Sequence, residues 1–287
     1  MKFKNIKMII LLIMFVEEVG LFAQEEKLIG LIPVYKYDEG KKMIVSDFQQ
    51  LVWQEILKGQ IESKKVTFHL LEKEELISLE KLKSYKVIIL PMMNVLSKKG
   101  LKNLKEYVHQ GGKLIRDQSS VSCLDINDNG ILDKEEFTEE STKFVSKFWQ
   151  EVGGISDGSN YYNFVQSIRF TSAFPLLTEG LPKEYTVLDL PFKSPISPVY
   201  LTTFYVPSSA QIVAEAKILH IHSWNLNDVA KELEGNFPVI TLNKYGKGYC
   251  LSLGLNLARV LYSDYPTEIY YTFFKNLIEW SLQKEIE

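Results

Sequence analysis

Cysteine is scarce in this chain: Cys123 and Cys250 are the only two in 287 residues. At most one disulfide can therefore form. An exporting compartment would permit it, but nothing in the sequence brings the two thiols together. Both sit in apolar company, Ser-Cys123-Leu and Tyr-Cys250-Leu, which favours buried thiols. A basic excess is also missing. Thirty-three Lys and Arg face 36 Asp and Glu, for a net charge of −3, and no basic stripe marks a nucleic-acid partner. No internal repeat or low-complexity tract occurs. The uncharged run from Met8 to Val16 is too short to span a bilayer comfortably, and no cysteine follows it to carry a lipid anchor.

That run belongs to an expected leader. Lys2, Lys4 and Lys7 precede it, and Ala23 before Gln24 makes a small-residue cleavage site, so residues 1–23 have the layout of a secretory signal peptide. Glu17 and Glu18 are unusual before such a site, which leaves a retained anchor as the alternative. Removing the leader takes the net charge from −3 to −4. The expected location is secreted or periplasmic, with no membrane span after cleavage. Residues 24–287 are enough to bury a large core as a single domain.

The sharpest chemical signal is Asp125-Ile-Asn-Asp-Asn-Gly-Ile-Leu-Asp-Lys-Glu-Glu136, which matches the EF-hand loop spacing at every specified position. A hard dication wanting six to eight oxygens needs such an oxygen-rich, tightly turned segment. Asp125, Asn127 and Asn129 would give side-chain oxygens, Ile131 its carbonyl, Asp133 a direct or water-bridged contact, and Glu136 two oxygens. Gly130 permits the sharp turn. Calcium is the expected cofactor. Asn at the third and fifth loop positions lowers the negative charge and implies modest affinity, which suffices where calcium is abundant. The loop is solitary, so a structural staple is expected over half of an opening switch.

Around the loop, short apolar runs alternate with amphipathic stretches. Strands are expected near residues 27–34, 65–71, 86–91 and 113–116, each apolar on both faces. Helices are expected over 46–61, 73–83 and 97–109, the last capped by Ser97 and ended by Gly111-Gly112. Residues 134–152 read as the helix leaving the calcium loop, with no good helix entering it. Beyond 153 the pattern becomes β-rich and irregular, then resolves into a hairpin over 237–253 turning at Gly246-Lys-Gly248, and a last helix over about 266–282. Strands buried on both faces and alternating with helices predict a doubly wound, mostly parallel α/β sheet of flavodoxin type, with an irregular β-rich C-terminal part.

Val87-Ile-Ile-Leu-Pro91, Leu101-Lys-Asn-Leu-Lys-Glu-Tyr-Val-His-Gln-Gly-Gly-Lys-Leu-Ile115, Phe174-Pro-Leu-Leu-Thr-Glu-Gly-Leu-Pro182, the Lys244-Tyr-Gly-Lys-Gly248 turn and Asn276-Leu-Ile-Glu-Trp280 together span most of the expected mature chain. They resemble the class I glutamine amidotransferase-like superfamily, and more closely its non-catalytic secreted branch, such as the trimerisation-type domain accompanying some β-galactosidases. The resemblance implies an amidotransferase-like fold. Its active members carry a cysteine on a tight elbow after the fourth strand and a His-x-Glu pair downstream. Here that strand runs into Asp117-Gln-Ser-Ser120, Cys123 lies several residues late, and Gly254-Leu-Asn-Leu-Ala258 holds no histidine. Amidotransferase chemistry is not expected.

Other constellations are weaker. His220 and His222 alternate along a strand and share a face, a possible zinc pair lacking a recognisable third ligand. Asp117, Ser119 and Ser120 near a strand end have no Gly-x-Ser-x-Gly elbow. His69 and His109 look structural. Tyr161, Tyr162, Phe164, Tyr200, Phe204, Tyr205 and Trp224 suit either a carbohydrate platform or, more often, a core. The expected function is a non-catalytic, calcium-binding module for binding or assembly, with a carbohydrate or an envelope protein as partner. The alternative is a hydrolase with a Ser or Cys site near residues 117–123.

Overall fold

The computed structural model describes residues 29–32, 46–61, 67–91, 96–118, 124–126, 136, 138–157, 163–187, 202–220, 231–262 and 268–283. The expected leader, the middle of the expected calcium loop (Asn127, Asn129, Ile131 and Asp133), Ser119, Ser120, Cys123, Tyr161, Tyr162, Tyr200, His222 and Trp224 lie outside them.

The apolar runs form the strands they predict. β1 (Ile29–Leu31), β2 (Phe68–Leu70), β3 (Val87–Leu90) and β5 (Lys113–Asp117) lie parallel in the order β2-β1-β3-β5, and β14 (Gly248–Leu253) continues them in parallel beside β5. From β14 the same sheet turns antiparallel through β13 (Phe237–Tyr245), β11 (Gln211–His220), β8 (Asn163–Phe170) and β9 (Glu184–Thr186), with β12 (Lys231–Glu232) on β11. The result is a mixed α/β fold with one large sheet. The β-rich C-terminal part extends that sheet with long strands, and its irregularity is concentrated at register shifts between Ile212 and Glu215 and at Lys217–Ile218. A bulged strand needs two residues against one, which blurs the period-2 pattern in the sequence.

Alternation of side chains across β1, β3, β5 and β14 divides the core in two. Ile29, Leu31, Val87, Ile89, Ile115, Leu251 and Leu253 face one layer of helices: α1 (Ser46–Ile61), α7 (Leu257–Tyr262) and α8 (Glu268–Leu282). Ile88, Leu90, Leu114 and Cys250 face the other: α2 (Lys73–Leu76), α3 (Leu79–Leu82), α4 (Lys98–His109) and α5 (Glu139–Phe148). The single helix expected over 73–83 is two one-turn pieces, because Ser78 adopts an extended conformation between them. Ser97 Oγ accepts from the Gly100 amide at 3.1 Å, the cap expected for α4. Thr138 caps α5 in the same way at 3.1 Å, so this helix starts five residues later than its periodicity suggests. A π-helical turn, Trp149–Gly153, prolongs α5 until Gly154 takes a left-handed conformation at φ 63°. None of the described helices is long and apolar enough to cross a membrane.

Candidate functional site: the calcium-loop ends and the β5 terminus

Strand β5 ends at Asp117, and β6 (Leu124–Asp125) pairs in parallel with β4 (Leu96–Ser97) just ahead of α4. The Leu124 amide donates to Ser141 Oγ at 2.7 Å, tying β6 to the first turn of α5. This brackets the loop between a strand and a helix start. Its first and twelfth positions consequently converge: Glu136 Oε1 accepts the Ile126 amide at 2.6 Å, one residue from Asp125. Asp125 is 3% and Glu136 4% exposed. Two buried carboxylates at the ends of one loop need compensating partners. A carboxylate oxygen has two lone pairs, so accepting an amide does not remove Glu136 from metal coordination. The described ends of the loop therefore fit a hard cation. Among the described residues, no group of three or more His, Cys, Asp and Glu side chains is placed to hold a metal ion.

The β5 terminus holds a dense polar cluster split between the two faces of the sheet. On one face Asp117 is fully buried and accepts from Trp53 Nε1 of α1 at 2.8 Å. On the other, the Arg116 guanidinium is 1% exposed, stacks 4.2 Å from the centre of Trp149, and donates from Nη2 to both Asp157 oxygens at 2.9 Å. Gln118 follows with φ 37°, an unusual left-handed value for a residue with a Cβ. Its amide donates to Leu253 O at 2.6 Å, its side chain to Gly254 O at 3.3 Å, and Tyr205 Oη donates to its carbonyl at 3.3 Å. The residue held at positive φ at the end of β5 is thus a carboxamide, and a carboxamide is no nucleophile. Ser119, Ser120 and Cys123 of the alternative site lie outside the described residues.

The described histidines engage other partners. His220 Nδ1 is 2.8 Å from Asn163 Oδ1, and His69 Nε2 is 3.0 Å from Glu75 Oε2. Their strands, β11 and β2, each stand three positions from β5 in the sheet, roughly 14 Å away at the usual strand spacing. His109 packs edge-on to Tyr245 at the opposite end of the parallel strands. Cys250 is a buried free thiol, pushed up to about 12 by burial, and carries no thiolate at neutral pH.

The order of these elements has known parallels. Residues 70–126 match the family model of the β-galactosidase trimerisation domain. The matched stretch runs from the end of β2 through α4 and β5 to the first residues of the EF-hand-spaced loop. No curated protein sequence matches the chain. Among solved structures, it is similar to a ThuA-like protein from Bacteroides uniformis ATCC 8492 at 14% identity and TM-score 0.55, covering 92% of this chain and 95% of that one. It is similar to a β-galactosidase from Bacillus circulans sp. alkalophilus at 16% identity and TM-score 0.51, covering 92% of this chain and 32% of that one. An exo-β-1,4-mannosidase from Opitutaceae bacterium strain TAV5 is similar at 13% identity and TM-score 0.51, covering 94% and 38%. The chain thus spans about a third of these two enzymes, and the likeness is one of fold.

Outside residues 70–126, the described aromatics divide as a core would. Phe164 and Tyr205 are each 1% exposed, and half-buried Phe204 packs on Phe237 at 4.8 Å. Four participants at the β5 terminus are not visible in the sequence: Trp53, Gln118 and the paired Arg116 and Asp157. Trp53 lies 64 residues from Asp117 and Asp157 41 from Arg116, so neither leaves a local spacing to detect. Gln118 could have been suspected only from its place at a strand end.

Proposed function

We propose that this protein is an exported, calcium-stapled domain of doubly wound, amidotransferase-like type. It acts by binding or assembly in carbohydrate-related machinery at the cell envelope and performs no hydrolysis of its own. The observation that carries the calcium reading is the convergence of buried Asp125 and Glu136 at the two ends of a loop with complete EF-hand spacing. Asn127, Asn129, Ile131 and Asp133 would complete the oxygen set, and the ion would join β6 to α5. The match of residues 70–126 to a trimerisation domain, and the shared fold of two sugar-processing enzymes, support the assembly and carbohydrate parts.

Thermal denaturation in millimolar calcium against EGTA tests the staple. Calcium at about 100 times its dissociation constant adds about 2.7 kcal/mol and raises the midpoint by roughly 5–10 °C. Glu136→Gln abolishes most of that shift; an equal midpoint with and without calcium overturns the reading. Sedimentation velocity on the mature chain reports assembly, and N-terminal sequencing of exported protein reports cleavage before Gln24.

One observation favours the hydrolase alternative: Gln118 is held at positive φ at the end of β5, and strained backbone clusters at functional sites. Turnover of aryl esters by the purified chain, lost in both Ser119→Ala and Cys123→Ala or in either one, would establish it. The binding reading expects no turnover above background.

A further inference from the structure

A cavity of about 680 Å³ opens at the end of the sheet where β3, β5 and β14 begin, away from both the calcium loop and the β5 terminus. Lys83, Lys86, Lys113, Lys244 and Lys247 line it, and the described lining contains no Asp or Glu. These ammonium groups come from the α3–β3 connection, from β5 and from the β13–β14 hairpin, so only the fold brings them together. The chain as a whole is acidic, at −3, and repels anions at long range. A concave wall of five lysines in such a protein is therefore a local device, not part of a general basic surface.

The charges are not all engaged by the protein. Lys83 is neutralised by Glu80 at 2.7 Å. Lys113 donates to Trp280 O and Gln283 O, each at 2.7 Å, binding the C-terminal turn of α8. Burial, and after it the Lys86 charge, push its ammonium down to about 8. Lys244 and Lys247 are exposed on the hairpin, with Lys244 Nζ 6.0 Å from the Tyr249 ring. Tyr249 is half-buried, packs edge-on to Trp280 at 6.4 Å and lines the cavity beside these amines.

The floor is rigid. A Cβ on Gly248 would stand 2.2 Å from both Gly112 O and Val108 O, so the hairpin and the end of α4 meet backbone to backbone. Lys247 N donates to His109 O at 2.9 Å and Tyr249 N to Gly112 O at 3.2 Å. A preformed floor lowers the ordering cost of binding. The volume falls in the range of small-molecule sites.

We propose that this cavity binds an acidic oligosaccharide: a sugar ring lies against Tyr249, and its carboxylate or sulfate groups meet Lys244 and Lys247. The anionic half of this assignment stands on the cavity alone, and the saccharide half rests on the carbohydrate-related function proposed above.

Isothermal titration of the mature chain with an oligogalacturonate hexamer, a heparin-derived hexasaccharide and neutral cellohexaose tests it. The two acidic sugars separate carboxylate from sulfate. Binding of at least one, weakening as salt rises, with no cellohexaose binding, is the expected result. Lys244→Ala/Lys247→Ala weakens it roughly ten-fold while leaving the melting midpoint unchanged. The same titrations in EGTA retain the acidic-sugar binding, which keeps this test separate from that of the calcium staple. Affinity unaffected by the double variant overturns the site. Binding of ATP or inorganic sulfate as tight as that of the acidic sugars overturns the saccharide assignment.

Discussion

Glu75 accepts the Glu72 amide at 2.9 Å and the Tyr85 hydroxyl at 3.0 Å, and it lies 3.0 Å from His69 Nε2. Burial pushes this carboxyl up, but the Glu72 amide, Tyr85 and His69 outweigh burial and hold it at about 2, below the ordinary 4.5. A depressed acid contributes stability that is fully present above its unfolded value and lost as the pH falls through the folded one. Glu75→Ala therefore costs about 2 kcal/mol at neutral pH, and the gap from wild type narrows between pH 4.5 and 2. Urea melts at pH 7, 4.5 and 3 check this; a gap that stays constant removes the linkage argument. Arg116 makes a second residue-scale case. Asp157→Ala leaves a buried guanidinium over Trp149 without its carboxylate and costs about 2–3 kcal/mol. Arg116→Met costs less, because it keeps apolar volume against the rings and leaves Asp157 in a half-exposed, solvated position. Urea midpoints of the two variants test that ordering. The three Glu75 contacts and the Arg116 pair were hidden in the sequence, since acid and base residues there look like any solvated charge until a fold buries them.

At the scale of elements, pattern was most informative where packing is one-sided and local. Ser97, the apolar face of α4 and the Gly111-Gly112 stop were all visible, because a cap and a 3.6-residue period are local signals. In α8, Ile269, Phe273, Leu277 and Trp280 point inward as their spacing implies. Phe274→Ala, fully buried beside Trp53, costs about 4 kcal/mol, whereas Tyr271→Ala, 43% exposed, costs under about 0.5. Differential scanning calorimetry on the two variants checks the contrast. The β13–β14 hairpin was legible from Gly246-Lys-Gly248, but the reason for the second glycine was not. Gly248→Ala drives a methyl into two backbone carbonyls of the α4 end, and backbone cannot yield as a side-chain tip can. The expected cost is about 3 kcal/mol or more, read as a lowered melting midpoint. The break at Ser78, the π-helical turn and the bulges of β11 were not legible, since each is a compromise between local preference and the neighbours the element must meet.

For the molecule as a whole, β3, β5 and β14 are paired on both edges and covered on both faces, whereas β9 and β12 sit at the margins. Amide exchange should be slowest in the first three and fastest in the last two; uniform protection would contradict this layering. Alternating apolar strands and amphipathic helices predicted an α/β sheet covered by helices, and the EF-hand spacing singled out Asp125 and Glu136, all from the sequence by itself. These are short-range properties, carried by periodicity and by residue spacing within a few turns of chain. Only the tertiary structure decided that β14 returns beside β5, which continues the sheet into antiparallel strands and seats Gln118 against Leu253 and Gly254. It alone drew Asp125 and Glu136 into one buried place, and gathered lysines from positions 83 to 247 around one cavity. The physical reason is range: contacts between residues distant in sequence depend on which strands pair, and the energy that selects that pairing is spread over the whole core and written in no single segment.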